Sequence, residues 1–246
     1  MKVLLLGANG MLGPHVIKAL EGRYELPATD INDPPSGFKH EYRKVDVADL
    51  KQVMEAAQGV DAIVNLSVLR HDRKIAFDVN ARGCYNTMAA AVKYGIRRVI
   101  NTGPHFTIAG PTYEDFDYDI NPDIPTHSGT NLYALTKSVG QEICRVFTEN
   151  HDVYVITLLF YNFRYPDDMS GAGQDFTPFT VSWSDAGQSF VHALEVPLEL
   201  LPSRCEIFNI FTDLPHHKFS NEKAKRILGW KPTHLFEQYW KKPGRS

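Results

Sequence analysis

Short apolar runs alternate with segments of helical hydrophobic spacing through the first 160 residues. Val3–Leu6 is an unbroken apolar run, and Met11–Leu20 follows it with Leu12, Val16, Ile17 and Leu20 at a period of about 3.6 residues. Glu25–Ile31 returns to an extended pattern, Leu50–Gln58 reads as a helix closed by Gly59, and Ala62–Leu66 as a buried strand. A long helix over Ala76–Tyr94 ends at Gly95, and a short strand follows at Val99–Asn101. Leu132–Asn150 is helical, and Val153–Phe160 is a β-branched strand. This rhythm predicts an α/β fold whose parallel sheet is covered on both faces. After Pro166 the rhythm weakens. Residues 1–165 are therefore read as the core and 166–246 as a small substrate lobe packed on it, over the sheet's carboxyl edge. Loop signals cluster at Asp33–Gly37, Gly110–Gly129 and Tyr165–Gly173, the last two long enough to shape a site.

Composition narrows the choice of partners. Apolar residues make up 43% of the 246 and charged residues 22%, with a net charge of −3, which gives no footprint for nucleic acid or membrane. The run at Val3–Leu6 is too short for a signal peptide, and Val153–Tyr161 is too short to span a bilayer. Cys84, Cys144 and Cys205 form no CxxC pair, so a disulfide framework is not expected and a cytoplasmic location is. His127 and the pair His216-His217 make no ligand set with nearby carboxylates, and no metal is expected.

Chemistry enters at the first strand–helix turn. Gly7-Ala8-Asn9-Gly10-Met11-Leu12-Gly13 places glycines where a tight turn, a close approach to a pyrophosphate and close strand–helix packing each need one. The amides of Asn9, Met11 and Leu12 belong to the same phosphate-facing loop, and Pro14 falls in the first helical turn, where its missing N–H costs little. Asp30 ends the second strand, 23 residues after Gly7. A carboxylate there accepts from both ribose hydroxyls and repels a 2′-phosphate, which favours NAD over NADP. The expected fold is the Rossmann-type doubly wound sheet.

The GxxGxxG spacing resembles that of the extended short-chain dehydrogenase/reductases, the NAD-dependent epimerase/dehydratase group, and further segments carry the likeness. Val45-Asp46-Val47 looks like the family's segment beside the adenine, and Val64-Asn65-Leu66-Ser67 like its fourth strand passing the cofactor. Asn80-Ala81-Arg82-Gly83-Cys84-Tyr85-Asn86 is similar to its NxxGTxN helix start, and Leu158–Pro166 to its LRFFNVYGP stretch. Ser220–Lys225 and Leu228–Pro232 match its closing motif. The resemblance implies cofactor contacts from Asp46, Val47, Leu66, Ser67, Asn80 and Thr102, and a dimer built on the helices beginning near Asn80 and Leu132.

Tyr133 and Lys137 form a YxxxK pair on one face of a helix. A tyrosine has an ordinary pKa of about 10, so it serves as a base only where cations stabilise its phenolate. A lysine and an oxidised nicotinamide would do so, letting Tyr133 take the proton of a secondary alcohol while hydride leaves to NAD; Lys137 would also hold the nicotinamide ribose. The family's usual Ser or Thr after strand five is missing. Aligned from the strand, Pro104 takes its place; aligned from Gly110, His105 does. His105, Thr107 or Thr102 remain as alternative donors, as does the absence of any third donor.

The segment Asp167–Ser182 holds no Arg or Lys, which disfavours a nucleotide-diphosphate clamp and favours a smaller substrate. The compact C-terminal part is similar to that of uronate dehydrogenases in the same superfamily. Candidate substrate contacts are Arg70, Tyr161, Asn162 and Arg164, with Arg70, Arg73 and Arg164 as partners for a carboxylate. The leading expectation is an NAD-dependent dehydrogenase of a small sugar or sugar acid. An epimerase or dehydratase that recycles its NAD, and a non-catalytic dinucleotide-binding protein, stand beside it.

Overall fold

The computed structural model describes residues 1–109, 121–167, 180–213 and 219–236. Of the expected loops, residues 110–120 and 168–173 lie outside the described residues, as does His216-His217. Seven parallel strands form one sheet: β1 (Val3–Leu6), β2 (Ala28–Asp30), β3 (Tyr42–Lys44), β4 (Ala62–Asn65), β5 (Arg98–Pro104), β6 (Tyr154–Phe160) and β9 (Cys205–Asn209). Their order is β3-β2-β1-β4-β5-β6-β9, the doubly wound arrangement predicted. The chain leaves β1 for β2 on one side and returns as β4 on the other, so the crevice at the carboxyl end of β1 is the topological switch point.

Alternation along the central strands divides the core between two layers. Val3, Leu5, Ala62 and Val64 face α1 (Gly13–Leu20) and α7 (Trp183–Glu195) through Val16, Leu20, Phe190 and Leu194. Leu4, Leu6, Ile63 and Val99 face the other way, towards Val53 of α2 (Leu50–Ala57), Met88 and Ala91 of α4 (Gly83–Tyr94) and Cys144 of α6 (Leu132–Asn150). The central strands β1, β4 and β5 are thus apolar on both faces, as a covered parallel sheet requires.

The expected helix over Ala76–Tyr94 is divided into α3 (Arg73–Phe77), a π turn at Asp78–Arg82, and α4. The wider turn carries Asn80, whose side chain accepts from Leu69 N–H (3.3 Å) and donates to Leu69 C=O (2.7 Å) and Thr136 Oγ1 (3.0 Å). Gly140 of α6 allows this approach, since a Cβ there would stand 2.3 Å from the Asn80 carbonyl oxygen.

Residues after Pro166, expected as a lobe, also enter the main body. β9 is the seventh strand of the sheet, and α7 lies against α1 at Gly187, where a Cβ would meet the His15 carbonyl oxygen at 2.6 Å. β7 (Asn162–Arg164) and β8 (Thr180–Ser182) form a separate parallel pair. Ser182 then caps α7 by accepting from Asp185 N–H at 2.9 Å. Trp183 is sandwiched between His15 (4.5 Å) and Phe163 (4.3 Å), joining β7, α1 and α7 beside the crevice.

Candidate functional site

A cavity of about 480 Å³ opens at the switch point. Its lining brings together Gly7, Gly10, Met11, Leu12 and Gly13 from the first turn, Leu66 after β4, Thr102 on β5, Arg70, Tyr133 and Tyr161. Val68 and Gly103 line it as well and were not singled out from the sequence, while Pro104, Phe160 and Phe163 complete the wall. Val68 lies in an irregular loop and Gly103 in a stretch that reads as a turn, so neither carries a periodic signal.

The glycine loop is shaped by its backbone. Gly7 has φ +77°, and a Cβ on it would stand 2.7 Å from Ser67 N. A Cβ on Gly13 would lie 1.9 Å from the Ala8 carbonyl oxygen, whereas one on Gly10 would meet only the Gly7 carbonyl oxygen, at 3.3 Å. The first and third glycines therefore serve the fold, and the middle one keeps the cavity clear. Asp30, nearly buried, accepts from Asn9 N–H at 3.1 Å on Oδ2 and from Asn32 N–H at 3.1 Å on Oδ1, so its carboxylate is held beside the loop. Oδ1 also accepts from Asn32 Nδ2 at 3.2 Å, so Oδ2 is the oxygen that keeps further acceptor capacity for a ribose hydroxyl.

Behind the cavity, Lys137 is buried and donates to the Ser67 carbonyl at 2.8 Å; burial lowers its pKa, and the nearby Arg70 charge adds to this. Ser67 Oγ is buried with no hydrogen-bond partner among the described residues. An unused hydroxyl, a cleared loop and an acidic strand end together fit a dinucleotide. Thr102 lines the cavity but gives its hydroxyl to Asn65 C=O at 3.0 Å. Asn80 works from behind, bracing the loop after β4. Asp46 and Val47 do not line the cavity: Asp46 accepts from Ala48 N–H (2.9 Å), and the Val47 carbonyl accepts from Asn86 (2.8 Å).

Tyr133 is half-buried at the first turn of α6, which Asn131 caps by accepting from Ala134 N–H at 3.0 Å. The Arg70 guanidinium carbon lies 5.0 Å from its ring centroid. Burial pushes the Tyr133 phenol up from its ordinary range, and the charge and hydrogen bonding of Arg70 oppose that.

The candidate third donors sit deeper. Pro104 forms the wall at the end of β5, and its carbonyl accepts from the Thr107 hydroxyl at 3.1 Å. Thr107 is fully buried and also accepts from Gln141 Nε2 at 3.2 Å. His105 is fully buried too, its ring 4.3 Å from that of Tyr161, and neither His105 nor Thr107 is on the cavity wall. Asn162 and Arg164 lie on β7 beside the cavity rather than in its lining, Asn162 reaching Thr180 Oγ1 at 3.4 Å.

Burial depresses the His105 pKa to about 3, so the ring is neutral at working pH. With its ordinary value at 6.5, the unfolded chain binds this proton first as pH falls. Stability from the neutral ring is complete above 6.5 and is lost progressively down to about 3. Between about pH 6 and 4 the wild type should lose roughly 1 kcal/mol more per pH unit than His105→Gln. Denaturant titrations at several pH values measure this, and parallel slopes would refute it.

A model of the NAD dependent epimerase/dehydratase family matches residues 3–175. The NAD-dependent glucose-6-phosphate dehydrogenase of Haloferax volcanii is 25% identical over 259 residues, covering 94% of this chain and 92% of its own. Uronate dehydrogenase of Pseudomonas putida is 26% identical over 162 residues, 64% of this chain and 59% of its own. The glucuronic acid dehydrogenase of Chromohalobacter salexigens matches in structure with a TM-score of 0.78 at 21% identity, over 94% of this chain and 84% of that one. A mutated uronate dehydrogenase of Agrobacterium tumefaciens complexed with NAD matches equally well, with a TM-score of 0.78 at 20% identity and the same coverage. The structural likeness speaks for the fold. The family match spans well over half of the sequence and includes the glycine loop, Asp30 and the Tyr133/Lys137 pair, so the chain belongs to the NAD-dependent epimerase/dehydratase family.

Proposed function

We propose that this protein is an NAD-dependent dehydrogenase that oxidises a small sugar or sugar acid at a carbinol carbon. One observation carries the reading: Tyr133 opens into the same cavity whose floor is the glycine loop. NAD, when bound, supplies the two-electron acceptor. Gly7, Gly10 and Gly13 would receive its phosphates, Asp30 its adenine-side ribose, and Ser67 and Lys137 its nicotinamide end. Tyr133 takes the substrate's hydroxyl proton. Arg70 is the cation among the cavity-lining residues and supports an oxygen-rich substrate, with Tyr161 in the same lining. The sugar and sugar-acid dehydrogenases among its relatives support the same substrate class.

The test is a screen of aldoses, sugar phosphates, uronates and nucleotide sugars with added NAD or NADP. Turnover of added NAD on a small sugar supports the proposal. Conversion of a nucleotide sugar without net NADH would replace it with an epimerase or dehydratase.

The free thiols of Cys84, Cys144 and Cys205 support a reducing, cytoplasmic setting. Among the described residues no helix is long and apolar enough to cross a membrane. Tyr85 of α4 and Leu135 and Val146 of α6 are exposed apolar side chains, which supports a homodimer through these helices. A monomeric mass in solution at micromolar concentration would reject the dimer.

A further inference from the structure

We propose that Arg70 takes the part left vacant by Pro104, its guanidinium being the donor that faces both the Tyr133 hydroxyl and the reacting oxygen of the substrate. The inference rests on the dehydrogenase reading and assigns one more residue to that chemistry. Three observations carry it. First, the wall where a hydroxyl side chain is expected is built by Pro104, which has no N–H and whose carbonyl is engaged by Thr107. Second, the alternative hydroxyl and imidazole donors are occupied or displaced. Thr102 is bound to Asn65 C=O, and Thr107 and His105 are buried off the cavity wall. Third, Arg70 is exposed in the cavity with its guanidinium carbon 5.0 Å from the Tyr133 ring centroid.

Arg70 is the charged group that acts on Tyr133, and of Lys137, His105 and Tyr161 nearby only Tyr161 shares its cavity wall. Arg70 is on the loop after β4, and Lys137 is one turn along α6 with its ammonium donating to Ser67 C=O. His105, after β5, is neutral, and Tyr161 follows β6. A fixed, planar cation with several N–H groups can meet two oxygens at once, which a lysine point charge does less well. In the reaction the substrate O–H proton passes to the Tyr133 oxygen, and Arg70 stays protonated throughout. A positive charge beside the phenol favours its ionised form, so the charge of Arg70 works in the direction a general base needs.

The test compares wild type, Arg70→Met and Arg70→Lys in two measurements. Tyrosinate ionisation is followed by ultraviolet difference titration of the cofactor-free protein, with Tyr133→Phe and its double variants subtracted to isolate Tyr133. The pH dependence of kcat is then measured on one neutral and one anionic sugar. Arg70→Met is expected to raise the ionisation of Tyr133 and the rising limb of the rate profile by about one pH unit. That shift costs roughly tenfold in rate at neutral pH on both sugars, and Arg70→Lys should recover part of it. If Arg70→Met instead raises KM for the anionic sugar alone, with the titration and rate profile unmoved, Arg70 is only an anion anchor and the proposal fails. NAD reduction that survives unchanged in Tyr133→Phe would remove Tyr133 as the base, and a lack of NAD reduction on every sugar would overturn the dehydrogenase reading itself, while the cofactor-free titration still decides the role of Arg70.

Discussion

Replacing Tyr133 with phenylalanine is expected to slow NAD reduction by about 10²- to 10⁴-fold, some 3–5 kcal/mol of barrier, while changing NAD affinity far less. The ring would keep its packing at the first turn of α6 and its place under Arg70, so only the hydroxyl is removed. Asp30, the glycine loop and Lys137 are untouched by the change, and these are the groups assigned to the dinucleotide. The phenol is held high by burial in the cofactor-free protein and is opposed by Arg70, so the oxygen is poised against a cation rather than left as an ordinary surface tyrosine. Steady-state rates and calorimetric NAD titration measure the two quantities. Equal losses of affinity and rate would mean that Tyr133 is part of the cofactor seat alone, and an unchanged rate would mean that Tyr133 is not the base of the reaction.

The parts of the molecule that could be read from sequence are those where local signals and burial agree. Helix α6 has the expected bounds because Asn131 caps it and its buried positions, small and polar ones included, recur at helical spacing from Ala134 to Thr148. β5 runs from Arg98 to Pro104, one residue before and three beyond the Val99–Asn101 read from sequence, because glycine and proline at 103 and 104 are poor strand formers. The reason a proline is tolerated there is tertiary. β4 ends opposite Asn101, and His105 N–H bonds to Phe160 C=O on the β6 side, so the nitrogen of Pro104 faces an edge with no strand to receive a hydrogen bond. β9 was hidden by Glu206, a charge in a short strand, which the structure buries against Lys223 at 2.6 Å. The π turn leaves the apolar spacing intact, and its cause lies in the distant partners of Asn80.

The candidate site divides in the same way. Glycines, a strand-end carboxylate and a YxxxK spacing are local features, and the fold brings them to one crevice. The positions of His105 and Thr107 were not legible, because a loop residue's burial depends on what covers it. Arg70 was recognisable as a loop cation, but its stacking on Tyr133 joins elements 63 residues apart in the chain.

Alanine at Gly13 is expected to destabilise the fold by about 3 kcal/mol and to abolish NAD binding, whereas alanine at Gly10 should spare the fold and damage binding alone. The contrast follows from where each new methyl group would go. At Gly13 it would overlap the backbone of Ala8, 1.9 Å from the oxygen and 2.5 Å from the carbonyl carbon, and no side chain can move aside to relieve this. Helix α1 would have to lift from the turn that follows β1, disturbing Val16 and Leu20 in the core beneath it. For a chain of this size a loss of that order lowers the melting temperature by roughly 6–12 °C. At Gly10 the methyl group meets one carbonyl oxygen at 3.3 Å and otherwise enters the cavity. Its effect on stability should stay within about 1 kcal/mol, since alanine also restricts the unfolded chain. Its effect on NAD should be large, because the methyl group occupies the space that a pyrophosphate needs to reach the loop amides. Thermal melting with and without NAD separates the two variants. If Gly10→Ala binds NAD as tightly as wild type, the dinucleotide does not lie against this loop, and the assignments of Asp30 and Lys137 that depend on it fall as well.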